Sequence, residues 1–112
     1  MNISYEGIGY LAITMRAGTG KVGWPCQFDA SGRAMQCANG NNICGVVEAV
    51  GDGVTAVQVE GFVKLPYTGT APALGYTKLV GNGSSGVMRA DDGMQHLVVS
   101  VDEAAGKIIV EL

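Results

Sequence analysis

Residues 44–80 read CGVVEAVGDGVTAVQVEGFVKLPYTGTAPALGYTKLV, and the pattern of this stretch decides the fold. Successive side chains of a strand point to opposite faces, so parity shows what each face carries. Residues 43–50, ICGVVEAV, are apolar on both faces except at Glu48, which marks a central strand covered on both sides. Gly51-Asp52-Gly53 tolerates positive φ and folds the chain back. In TAVQVEGFVKL, Val57, Val59, Val63 and Leu65 share one face with Gly61, while Gln58, Glu60, Phe62 and Lys64 take the other. Phe62 is thus an aromatic ring set among charges. Pro66 ends that strand, and YTGTAPALG carries the chain across one end of the domain.

The same reading extends in both directions. In YLAITMRA, Leu11, Ile13 and Met15 oppose Ala12, Thr14 and Arg16. PCQFD and RAMQCA, joined through ASGR, read as a hairpin. YTKLV and VMRA form a second hairpin across GNGSSG, and QHLVVSV pairs with the final KIIVEL across DEAAG. Leu97, Val99 and Val101 share a face, as do Ile108, Val110 and Leu112. The predicted core holds Val57, Val59, Val63, Leu79, Leu97, Val99 and Val101. No segment keeps a 3.6-residue apolar period over three turns, although one helical turn within 70–75 or 102–105 is compatible with the sequence. The 18 glycines recur at no fixed period, which excludes a collagen or solenoid repeat. The expected fold is all-β, a small antiparallel barrel or sandwich of about eight short strands with little or no helix.

Length and charge bound the function. A chain of 112 residues fits one domain with a modest core. Charged residues make up 15% of it, against about 25% in ordinary soluble domains, and 47% are hydrophobic. Such a surface is expected to hide apolar area against a partner. The net charge of −3, without any Lys/Arg cluster, opposes nucleic-acid binding, which requires a basic footprint. No apolar run approaches the ~18 residues of a membrane span. MNISYEGIGYLAITMRAG lacks a basic region before its apolar part, so the expected place of synthesis is a cytoplasm.

The candidates for chemistry are few. Cys26, Cys37 and Cys44 match no zinc spacing and read as buried thiols in a reducing compartment. His96, the single histidine, opens an apolar strand, and at a strand end it assembles no Ser-His-Asp or Cys-His set. Asp91-Asp92 lie in a turn, and Gly93 follows too soon for a calcium loop. AGTGKV at 17–22 fails as a phosphate loop, because Met15 and Val22 stand where Gly and Ser or Thr are required. The expectation is a protein without catalytic residues, cofactor or metal.

One resemblance gives the pattern a purpose. Gly45-Val46-Val47-Glu48-Ala49, then Val57-Gln58-Val59-Glu60-Gly61-Phe62-Val63, then Gly75-Tyr76-Thr77-Lys78-Leu79-Val80, and a closing strand Ile108–Leu112 follow one another in order. This series resembles the capsid-cement, or head-decoration, proteins of tailed bacteriophages over roughly residues 20–112. The resemblance implies a structural virion protein on the outer capsid surface. It implies a homotrimer bound to the major capsid protein, bridging neighbouring subunits, with no nucleic-acid or membrane partner. On this view residues 20–112 form a single β-barrel-like domain, and 1–19 are either its N-terminal strand or a capsid-binding arm. Candidate interface residues are Tyr5, Ile8, Tyr10, Phe62 and Tyr67, since aromatics are enriched at interfaces. Phe62 could equally pack under a loop of its own chain. A tail-tube or baseplate component, a ligand-binding β-module and an inhibitor or accessory domain are the other readings. Against a carbohydrate platform, the seven aromatics are spread along the chain.

Overall fold

In the computed structural model, which describes residues 9–112, the chain is all-β. Ten strands follow one another: β1 (Leu11–Ala17), β2 (Pro25–Phe28), β3 (Arg33–Gln36), β4 (Gly45–Gly51), β5 (Val54–Glu60), β6 (Phe62–Thr68), β7 (Gly75–Gly81), β8 (Val87–Arg89), β9 (Met94–Asp102) and β10 (Lys107–Glu111). They close into two five-stranded barrels, ordered β1-β3-β2-β4-β5 and β6-β8-β7-β9-β10. The expected hairpins β2–β3, β4–β5, β7–β8 and β9–β10 are all present. Each barrel is antiparallel except for one short parallel contact, β1 with β3 and β6 with β8. The region from residue 20 onward, read from sequence as a single barrel, therefore contains parts of two. Residues 11–17 are an integral strand, paired with β5 along their length.

The second barrel repeats the first in strand order and in detail. In the first, Val57 lies between Ile13 and Val47; in the second, Val110 lies between Val63 and Val98. One residue of β4, Glu48, and one of β9, Val99, has no partner in the ladder, so both strands carry a bulge at the same place. Gly53 (φ 71°) and Gly106 (φ 67°) close equivalent hairpins. Their carbonyls accept from the N–H groups of Ala17 at 3.1 Å and Tyr67 at 3.0 Å. The hairpin tips agree as well. Asp29 Oδ1 accepts from the Ser31 and Arg33 N–H groups, and Asn82 Oδ1 accepts from those of Ser84 and Gly86. Two copies of a unit with divergent residues produce no glycine period, which is why the repeat is invisible in the spacing.

The continuous strand expected over TAVQVEGFVKL is broken at Gly61, whose φ of 104° no ordinary side chain adopts. There the chain leaves one barrel and enters the other. The Gln58 side chain, buried rather than solvent-facing, spans the break. Its Nε2 donates to the carbonyls of Glu60 at 3.0 Å and Phe62 at 3.4 Å. Pro66 does not end β6 but lies inside it. The Tyr67 N–H points toward the β10 side, so the missing N–H of Pro66 falls on the opposite side, where β8 has not yet begun to pair.

The two cores meet at β4. Val47 packs inside the first barrel with Cys26, Ala34 and Val57. Val46, its neighbour on the other face, joins Cys37 and Ile43 in the core of the second barrel, against Val63, Leu65, Leu79, Val87, Val98, Ile108 and Val110. Of the expected core, Val57, Val63 and Leu79 are buried, and Val59 and Val101 pack at its margin. Leu97 and Val99 are only half-buried. The bulge at Val99 shifts parity, so His96 and Val98 point inward and Val101 rejoins the core beyond it.

Leu65→Ala is expected to cost about 2–5 kcal/mol, because the site is fully enclosed, whereas Leu97→Ala should cost well under half as much; urea unfolding of the two variants makes the comparison. At Asp29, accepting the two backbone N–H groups holds the carboxyl below its ordinary value. A carboxylate lowered on folding stabilises above its unfolded pKa and loses that contribution as pH falls through the folded value. Asp29→Asn, which copies Asn82, should keep the turn and remove this acid dependence, while Asp29→Ala should lower Tm at every pH.

Candidate functional site

Two concave regions stand out on the surface. The first is a crevice of about 290 Å³ at the crossover, lined by Gly9, Glu60, Gly61, Phe62, Glu111 and Leu112. It forms because the Gly61 turn leaves no side chain there; a Cβ would sit 3.2 Å from the Tyr10 Cα. Phe62 and Glu111 are cross-strand neighbours on β6 and β10, so the half-buried ring has a carboxylate beside it. Of the sequence candidates, Phe62 lines the crevice, and the Tyr10 backbone passes beside Gly61 with its side chain 45% exposed. Tyr67 does not join them. It is half-buried, packed against the second core, with its N–H held by Gly106. Tyr5 and Ile8 lie outside the described residues.

The second is a broader cleft of about 550 Å³ on the wall of the second barrel. β7 supplies Tyr76, Thr77 and Lys78; Gln95 comes from β9, and Arg89, Ala90 and Asp91 from the end of β8 and its turn. Thr70 and Ala73, in the loop before β7, form the facing wall. Thr77, itself buried, donates through Oγ1 to the Ala73 carbonyl at 2.9 Å and ties that loop to the sheet. Alternation along β7 leaves Tyr76 and Lys78 exposed on one face and buries Thr77 on the other. What sequence reasoning missed is the pairing, which sets Gln95 of β9 opposite Lys78 and Arg89 of β8 opposite Leu79 at the end of the strand.

The groups with reactive chemistry lie elsewhere. His96 is buried, with Nδ1 3.2 Å from the Glu111 carbonyl. A carbonyl only accepts, so Nδ1 is the donor in this contact, and Nε2 is buried without a hydrogen-bond partner among the described residues. This histidine belongs to the seam between β9 and β10. Cys26 and Cys37 are buried as expected, but Cys44 is exposed, because it precedes β4 rather than sitting within the ladder. Burial pushes the Cys26 thiol up to about 12, aided by the neighbouring Cys44 and Cys37. Burial also raises Cys37, whose Sγ donates to the Asn41 carbonyl at 3.4 Å. Among the described residues no three His, Cys, Asp or Glu side chains are grouped to hold a metal ion.

Comparison with protein-family models, with curated proteins and with solved structures finds no match.

Since the thiolate is the reactive form, Cys44 should be the thiol that reacts with a disulfide reagent at pH 8 in the folded protein. Cys26 and Cys37 should react only after denaturation. A Cys44→Ser variant that still reacts promptly when folded would contradict this arrangement.

Proposed function

We propose that the protein decorates and stabilises the assembled head of a tailed bacteriophage, bridging neighbouring major-capsid subunits from the outer surface. The observation that carries this reading is the exposure of large apolar side chains on strands and on the loops that join them. Val22 is 59% exposed, Val50 52%, Leu74 67%, Tyr76 73% and Met94 57%, and they are spread over both barrels. Scattered exposed apolar residues are normal singly, but here they sit on a chain with few charges to cover the same surface. The likeness to cement proteins supports the same reading, because its matched residues fall on β4, on β5 through Gly61 into β6, and on β7 and β10. These are the strands that build and join the two barrels.

On this reading the protein clamps the shell by favouring the assembled state over the dissociated one. A double barrel suits the task. Its sheets close on themselves, its core is shared, and its shape is set before it meets a partner, so little ordering entropy opposes docking. A homotrimer at local threefold positions multiplies such contacts, and avidity then makes individually weak ones sufficient. The protein is made in the bacterial host cytoplasm and ends on the virion exterior.

Cosedimentation with the expanded, empty heads of its own phage tests the proposal. Saturable binding at a fixed ratio to the major capsid protein is the expected result, with a trimer mass by light scattering for protein released from the heads. Failure to cosediment with expanded heads, combined with binding to isolated tails, would replace it with the tail-component reading.

A further inference from the structure

We propose that the cleft on the β7 wall is a binding site for an acidic saccharide, held by Lys78 and Arg89 beside the exposed ring of Tyr76. The chain carries seven Lys and Arg residues against ten Asp and Glu, yet two of the seven line this one cleft, where Asp91 is the one lining carboxylate among the described residues. The lining thus carries two cations and one carboxylate, with Asp92 adjoining Asp91 in the same exposed turn. Among the described residues neither cation is engaged in an ion pair, so both remain available to an anion. An arginine and a lysine at one site offer a planar fork and a compact charge, a pairing suited to a carboxylate.

The rest of the lining favours a sugar over other anions. Thr70, Asp91 and Gln95 add a hydroxyl, an acceptor and an amide, which together match a ligand with several hydroxyl groups. Tyr76 is 73% exposed and gives an apolar face against which a ring can lie. A volume of about 550 Å³ falls in the range of small-ligand sites. The site is also built before any ligand arrives, since the Thr77 hydroxyl fixes the loop that forms its far wall. A peptide cannot enter as an added strand. β7 is hydrogen-bonded to β8 on one side and β9 on the other, so its backbone groups are already used. Recognition must run through side chains. This inference does not depend on capsid binding, because it rests on the cleft alone.

Titration of the 15N-labelled full chain, followed by NMR, tests it. The probes are trigalacturonate and sialyllactose, with galactotriose and lactose as neutral counterparts and hexaglutamate as an acidic peptide. Saturable shifts confined to residues 70–78 and 89–95 are expected with at least one acidic sugar, and binding about tenfold weaker or more for its neutral counterpart. Tyr76→Ala and the double variant Lys78→Gln/Arg89→Gln should each weaken the acidic sugar similarly while leaving the spectrum dispersed. Lys21→Gln, on the first barrel, should change nothing. The proposal is overturned if no acidic sugar gives saturable shifts, or if neutral sugars bind equally. It is also overturned if hexaglutamate binds as tightly and ignores Tyr76→Ala, which would make the cleft an acidic-peptide site.

Discussion

Everything in this fold depends on one strand, β4, whose first half is buried on both faces. Val46 and Val47 are neighbours on β4, point in opposite directions, and are 7% and 1% exposed. Val47 completes the core of the first barrel and Val46 that of the second. A five-stranded barrel of about fifty residues encloses too little apolar volume to be secure alone. Sharing a wall removes that weakness, because the same strand contributes to two interiors.

The shared wall dictates how closely the barrels must approach. A Cβ at Gly81 would lie 2.5 Å from the Cys37 sulfur, so only glycine allows the loop after β3 to seat on the end of β7. Backbone pairs then lock the contact. The Gly81 N–H donates to the Asn41 carbonyl at 2.8 Å, and the Gly40 N–H donates to the Gly81 carbonyl at 3.0 Å. Asn42 and Gln36 add side-chain bonds to the Met94 N–H and the Gly83 carbonyl. The contact is not reciprocal. Where the second barrel has Gly81 and Asn82 at its hairpin tip, the first has Phe28 and Asp29. Where the first has an uncharged Ala38-Asn39-Gly40-Asn41-Asn42 loop, the second has Asp91 and Asp92.

The arrangement also explains where ligand chemistry can sit. The first barrel spends its β3–β4 loop on the contact with its twin. The matching end of the second barrel, from Arg89 to Gln95, has no barrel to meet and instead borders the open cleft. A repeated unit therefore uses equivalent surface once for internal cohesion and once toward the outside.

The sequence by itself determined the strands, most of the turns and the double coverage of the first half of β4, Gly45 to Val47, but not the exposure of Ala49 and Val50 beyond it. These follow from local rules: period-two alternation, glycine and Asx residues at reversals, and a polar face missing where both sides are covered. It also named Phe62 and Tyr10, though not the turn at Gly61 that both flank. Only the tertiary structure decided that the strands close twice rather than once. Gly61 preserves alternation between Val59 and Val63, so parity shows no break, and only a φ of 104° reveals that the chain changes barrels. The inward turn of His96 and Val98 likewise required the bulge at Val99, which exists only when β9 is registered against β10. The cleft was hidden for the same reason. Lys78, Arg89 and Gln95 become neighbours through pairings between strands, and periodicity along one strand carries no information about which strands pair.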